Sequence, residues 1–343
     1  MRFAPSWARA VTPVLAVFTL LSAGSLTAGC RGADDGSVTV GVGGQPFLVY
    51  LPTTLAERLG YYREEGLKVR LEDLQSGSKA LQALQGGSVD VVSGFYDHTI
   101  QMRAKGRDVR AFVSMLRYPS LVLAVSPKAG RRIESVADLA GANVGVTSPG
   151  SSTDFFLKNL LRANRLPTTA ASVQAIGGDA SAVAAMEQGA VDAAVMTDPA
   201  FSLLRKRAGE VRVLSDTRTV QGVQQAYGTD TYPASVFYST GEWLQRNPAV
   251  ARKLARAMRR TLEWIQQHSA AEIAAKLPPR YAAGDPAVYV EAIAHAKPAF
   301  SPDGRVEPAG AHAVYEVQRL LNPEVANARI DLDSTYTNEF VTD

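Results

Sequence analysis

Residues 75–93, QSGSKALQALQGGSVDVVS, return without a gap as residues 177–195, GGDASAVAAMEQGAVDAAV, so that Gly87 and Asp90 reappear 102 positions later as Gly189 and Asp192. Each copy runs from a polar, Gly-rich opening through a short apolar-periodic helix to a glycine stop. A Val-Asp pair then leads into a strand of small residues. Ser78 and Asp179 are candidate caps, because a side-chain oxygen at a helix start accepts a first-turn N–H that has no helical partner. Gly87 and Gly189 suit the left-handed turn that ends a helix. One such unit is an ordinary βαβ crossover. Two at a fixed offset predict two lobes built on one plan.

The flanking sequence is paired in the same way. Residues 38–42 and 142–147 read as strands, each followed by a Gly- or Ser-rich loop (43–47 and 148–154) and a helix. Residues 67–74 alternate apolar and charged side chains, as a half-exposed strand does, and strands at 109–114 and 211–214 close the two series. Residues 121–125 form a continuous apolar run, which marks a strand buried on both faces. Residues 231–239 are a second candidate for a strand crossing between the lobes. Asn247-Pro248 opens a long helix with a proline in its first turn, striped by Val250, Leu254, Met258, Leu262 and Ile265. The remainder is mostly helical, broken at Pro278-Pro279 and at residues 302–304. The fold class expected is therefore α/β, two α/β lobes joined by two crossing strands, with C-terminal helices.

At 343 residues the chain exceeds one typical core. Lys+Arg 36 against Asp+Glu 33 gives a net charge of +3, and about +1 once the two arginines of the first thirty residues are set aside. That balance argues against a nucleic-acid partner, which needs a concentrated basic face.

The N-terminus reads as an export signal. Arg2 and Arg9 precede an apolar run over residues 10–23, interrupted by Pro13 and short for a bilayer span. The run leads to Leu26-Thr27-Ala28-Gly29-Cys30, and Cys30 is the single cysteine of the chain. This end resembles a bacterial lipobox, whose cysteine becomes acylated, although Thr27 stands where leucine is usual. Ordinary cleavage near Ala28, with Cys30 incidental, is the other reading. Residues 31–37 follow as a polar tether.

The ordered motifs carry a family resemblance. Residues 59–69 (LGYYREEGLKV), 83–91 (ALQGGSVDV), 136–146 (VADLAGANVGV) and 189–194 (GAVDAA), followed by Asp198-Pro199 and Asn247-Pro248, resemble the nitrate/sulfonate/taurine solute-binding proteins of ABC transporters. This SsuA/Thi5-like, NMT1-like group also includes pyrimidine-precursor binders. The resemblance covers roughly residues 37–300. It implies a type II periplasmic-binding-protein fold with the ligand in an interlobe cleft and hinge closure around it. Lobe 1 would comprise residues 38–122 and 230–343, and lobe 2 residues 123–229, after a lipoprotein signal peptide at 1–30.

In open α/β sheets ligands sit where strand ends meet helix starts. The loop at 43–47 offers backbone N–H groups, Gln45 and an aromatic wall in Phe47; Ser76 and Ser78 open the first repeat helix. Ser148, Ser151, Ser152 and Thr153 crowd one helix start, a natural seat for sulfonate, phosphate, carboxylate or nitrate. A single cap needs only one hydroxyl, so the cluster favours a ligand, though any one of these residues can be a plain cap. Asp179 opens the second repeat helix, where its carboxylate would repel an anion. Tyr96, Asp97, Tyr118, Asp198 and Tyr232 sit at tips or crossings from which they can face the cleft or enter the core. His98 reads as a hydrogen-bonder rather than a ligand residue, and the basic run Arg252, Lys253, Arg256, Arg259, Arg260 as a solvated helix face.

No catalytic motif, cofactor motif or metal-ligand spacing is present, so no catalytic residue, no metal and no cofactor is expected. The leading expectation is an exported, monomeric, lipid-anchored binding protein that carries a small anionic or zwitterionic solute to an ABC permease and its ATPase. The alternatives are a pyrimidine-precursor synthase-like enzyme on the same fold and a ligand-sensing lipoprotein. With several ligand contacts at about 1.5–3 kcal/mol each and about 8 kcal/mol needed for micromolar affinity, several loops must contribute.

Overall fold

In the computed structural model, which describes residues 37–342, Asp90 and Asp192 perform the same task in two different sheets. Asp90 Oδ2 accepts the Thr39 N–H at 2.8 Å while Asp90 N–H donates to Thr39 O at 2.9 Å. Asp192 Oδ2 accepts the Asn143 N–H at 2.9 Å while Asp192 N–H donates to Asn143 O at 2.8 Å. Each aspartate thus sets the register of its strand against a parallel neighbour. Asp90→Ala and Asp192→Ala are each expected to cost about 1 kcal/mol in urea denaturation. With no shared partner, the double variant should be additive within about 0.5 kcal/mol. A larger coupling would show that the two copies are not energetically separate.

The strands are β1 (Ser37–Val42), β2 (Lys68–Asp73), β3 (Val91–Phe95), β4 (Val109–Ser114), β5 (Val122–Val125), β6 (Asn143–Val146), β7 (Ser172–Ala175), β8 (Ala193–Met196), β9 (Val213–Asp216) and β10 (Ser235–Thr240). They form one sheet in the order β2-β1-β3-β10-β4 and another in the order β7-β6-β8-β5-β9. In the first, β1 is parallel to β2 and β3, and β10 lies antiparallel between β3 and β4. The second repeats this, with β5 as the antiparallel insert. In each sheet the insert is the strand that arrives from the other sheet. The apolar run at 121–125 is buried throughout, as a central strand requires.

Two connections join the sheets, residues 115–121 and residues 217–234. They are hydrogen-bonded to each other where they cross: Tyr232 N–H donates to Arg117 O at 2.9 Å and Ala234 N–H to Leu116 O at 3.0 Å. The strand expected over 231–239 starts only at Ser235, because Pro233 has no N–H for a ladder. The periodicity gives no element for residues 217–230, where the structure has a helix, Val220–Tyr227, capped by Thr219 and ended by Gly228.

Both repeat helices, Gly77–Gln85 and Ala180–Gln188, end at left-handed glycines, Gly87 and Gly189, each at φ 72°. Asp179 caps the second; in the first, Ser76 rather than Ser78 accepts the capping bond, from Lys79 N–H at 3.3 Å.

The long helix Pro248–Gln267 buries Leu254, Met258, Leu262 and Ile265. Its basic face is less free than the sequence implies. Arg256 bonds Glu65, Arg260 bonds Glu64, Arg259 bonds Val341 O, and Arg252 lies over the Phe340 ring. The C-terminal helices do not all return to the first sheet: Pro286–Ala296 packs on Ala200–Ala208, and Pro308–Leu321 on both Asp97–Ala104 and Ser152–Ala163. No helix among the described residues is long and apolar enough to cross a membrane. The signal segment, Cys30 and the start of the tether lie outside the described residues.

Candidate functional site

The helix Ser152–Ala163 begins in a knot of hydroxyls. Thr147 Oγ1 donates to Ser151 Oγ at 2.8 Å, Ser151 Oγ lies 2.7 Å from Thr153 Oγ1, and Thr153 Oγ1 lies 2.9 Å from Thr147 Oγ1. Ser151 occupies the N-cap position yet its side chain accepts no capping bond; Asp154 N–H donates instead to the Ser151 carbonyl at 3.0 Å. Thr197 Oγ1, buried beside this knot, has no hydrogen-bond partner. Together these groups offer donors and a positive helix end to an acceptor.

The facing wall comes from the first sheet: Gly43, Phe47 and Tyr50, with Gly77 and Phe95. The lobes are closed upon each other. Ser148 Oγ donates to Ser76 Oγ at 3.1 Å and lies 2.6 Å from Ser78 Oγ; Ser152 Oγ donates to Asp97 Oδ1 at 2.9 Å; Leu48 N–H donates to Asp198 O at 2.9 Å. The chamber between has free space on the order of a single water molecule. A solute must therefore enter while the lobes are apart.

A second chamber adjoins the first through Phe95, Leu121 and Ser152. Its walls are Asp97, Phe155, Phe156, Tyr227 and Tyr232, and the Tyr227 and Tyr232 rings stack with centroids 4.0 Å apart. Burial pushes the Asp97 carboxyl above the usual carboxylate range, against the pull of His98, the Ser152 hydroxyl and the first-turn backbone N–H groups. Burial also holds His98 below its ordinary value, and its Nδ1 is 3.2 Å from Tyr238 OH. A mouth lies outside both chambers, formed by Phe47, Asp73, Gln75, Gly178 and Asp179.

The structure thus gathers Phe47, Ser76, Ser78, Asp97, Ser148, Ser151, Ser152, Thr153 and Tyr232 around the interlobe cleft. Gln45 and Asp179 stand at its rim. Gln45 Oε1 accepts from Tyr281 OH, and Asp179 Oδ1 accepts from the N–H and hydroxyl of Ser181. Three candidates are not brought to either chamber. Tyr96 is adjacent to Asp97 but points elsewhere, as successive residues at a helix start do; its hydroxyl bonds Thr335 Oγ1. Tyr118 accepts from Arg117 at 2.6 Å within the crossing. The Asp198 carboxylate is occupied, taking the Ser202 N–H and hydroxyl on Oδ1 and Arg218 on Oδ2 at 3.1 Å. Sequence reasoning missed Thr147, Thr197, Tyr50, Phe155, Phe156 and Tyr227. Thr147 and Thr197 end strands at the repeat-related tips, which was the available signal. The aromatic residues carried none. Among the described residues no cluster could hold a metal ion.

The NMT1/THI5-like family model matches residues 49–271. A solved structure from Bordetella bronchiseptica RB50 is 38% identical, with a TM-score of 0.84, over 89% of this chain and 96% of that one. The alkanesulfonate-binding protein SsuA from Xanthomonas axonopodis pv. citri, solved bound to MOPS, is 19% identical, with a TM-score of 0.70, over 88% of this chain and 98% of that one. At that identity the likeness is one of fold, and the fold is that of the type II periplasmic binding proteins. A 4-amino-5-hydroxymethyl-2-methylpyrimidine phosphate synthase from Aspergillus parasiticus is 24% identical over 225 residues, 65% of this chain. The chain spans less than two thirds of the length of the curated relatives it matches, 27% in one and 64% in the other.

Proposed function

Because the chain belongs to the NMT1/THI5-like family, we propose that it is the exported solute-binding component of an ABC importer. On this reading it closes its two lobes over a small solute and delivers it to a permease driven by an ATPase. Acylation of Cys30 would tether it to the membrane. The observation that carries the reading is the hydroxyl knot at a helix start with no side-chain cap, set across the cleft from a second wall whose Ser76 and Ser78 meet Ser148 and whose Asp97 meets Ser152 beside the knot. Such a site binds by closing, and release of the solute by opening suits delivery.

The test is a thermal-shift and calorimetric screen of the purified protein against sulfonates, nitrate, carboxylates, amino acids and aminopyrimidines. At least one compound should stabilise it. Ser151→Ala should then weaken that compound about tenfold while leaving the melting temperature of the empty protein nearly unchanged, because only hydroxyl–hydroxyl bonds are lost. Binding that survives this change would remove the knot from the site. Turnover of a screened compound would instead favour the synthase named among the fungal relatives.

A further inference from the structure

Three aspartates are buried among the described residues: Asp97, Asp154 and Asp198. Two have a cation in contact, Asp154 with Lys158 at 2.9 Å and Asp198 with Arg218 at 3.1 Å. Asp97, 5% exposed, has no lysine or arginine in contact among the described residues. Its bonds are to the Ser152 hydroxyl and to backbone N–H groups of its own helix start. A carboxylate removed from water without a cation is costly, and folds keep such groups mainly where they act.

What faces Asp97 is aromatic. Phe155 comes from the helix after the hydroxyl knot, Tyr227 from the helix Val220–Tyr227, and Tyr232 from the return crossing. Aromatic faces beside a carboxylate attract cations and repel anions. The other titratable groups that feel Asp97 are His98 on its own helix, Tyr50, and Tyr238 on β10. Burial lowers the His98 value and raises those of all four tyrosines, so burial disfavours the charged form of each.

We infer that the cleft selects its solute by a positively charged nitrogen, seated on Asp97 and enclosed by Phe155, Tyr227 and Tyr232. The inference rests on the solute-binding reading above and adds the chemical class to it. Ser152 borders both chambers, so the nitrogen lies one short skeleton away from whatever acceptor occupies the hydroxyl knot. The solute is then bipolar, with an amine or protonated ring nitrogen at one end and an acidic or carbonyl oxygen at the other.

The probes are matched pairs that differ only in the nitrogen: 2-aminoethanesulfonate with 2-hydroxyethanesulfonate, and 3-aminopropanoate with 3-hydroxypropanoate. By calorimetry, the amine member of at least one pair should bind at least tenfold more tightly. Asp97→Asn should abolish that preference. A second readout needs no ligand. Asp97 binds its proton more tightly folded than unfolded, so wild-type stability relative to Asp97→Asn falls as pH rises from the ordinary carboxylate value through the raised one. Asp97→Asn should therefore melt above wild type at pH 7, with the gain vanishing below about pH 4. Hydroxyl members binding as tightly as amines, a preference that survives Asp97→Asn, or no binding by any amine would overturn the inference. In the first two cases the solute-binding reading stands. If nothing in the pairs or the wider panel binds, that reading fails as well.

Discussion

Replacing Arg218 with methionine is expected to cost about 3–5 kcal/mol of stability, because it strands a buried carboxylate. The guanidinium donates to Asp198 Oδ2 at 3.1 Å and grips Asp216 through Nε at 2.9 Å and an NH2 contact of 2.6 Å. It also lies over the Phe201 ring, 4.7 Å from the centroid. Its side chain is 12% exposed and that of Asp198 4%, so water cannot replace the lost partner. Urea denaturation of Arg218→Met measures the cost. Adding Asp198→Asn should restore a large part, since the stranded charge goes with it. A loss below about 1 kcal/mol would mean that the triad is worth no more than a surface pair. The same geometry reverses the expectation that Asp198 holds ligand. Asp198→Ala should lower the melting temperature, by removing both a cap for the Ser202 N–H and an ion-pair partner, rather than empty the cleft.

Gly178→Leu is expected to lower solute affinity at least about 100-fold, roughly 2.7 kcal/mol, while the empty protein melts nearly as before. A Cβ at Gly178 would stand 2.6 Å from Phe47 Cζ, on the facing lobe, and 3.0 Å from Thr147 Cγ2 on its own. Gly178 is not among the positive-φ glycines, so its backbone accepts a side chain; the conflict arises where the lobes meet. A leucine there props the mouth open and strains the neighbouring Leu48-to-Asp198 hydrogen bond, one of the few that tie the lobes together. Calorimetry with any solute found by screening gives the affinity. Phe47→Ala in the Gly178→Leu background should recover part of it by making room. Unchanged affinity would mean that binding does not need closure at this edge.

Much of the architecture was legible because the signals are local. A helix cap, a left-handed glycine and a Val-Asp strand start act within a few residues, so the spacing of Gly87 and Asp90 from Gly189 and Asp192 was enough to predict two matched sheets. Ser151 and Thr153 of the hydroxyl knot were legible for the same reason, lying at one helix start, whereas Thr147, at the strand end before it, was missed. The antiparallel inserts β5 and β10 were less so. Their burial shows in their composition, but the sheet each one joins is set by the crossing at Leu116 and Ala234, a pairing distant in sequence.

The acidic candidates mark the boundary most sharply. The sequence alone established that Asp97, Asp179 and Asp198 stand at helix starts beside strand ends, where a carboxylate can meet a ligand, a backbone N–H or a cation. It could not rank them, because a charge is satisfied by whatever lies within a few ångströms, and chain distance does not report that. Asp179 was settled locally, as the cap that takes the Ser181 N–H two residues on; tertiary structure decided Asp198 by bringing Arg218 to it. Around Asp97 it placed aromatic rings and the Ser152 hydroxyl, leaving a buried carboxylate with no lysine or arginine beside it among the described residues.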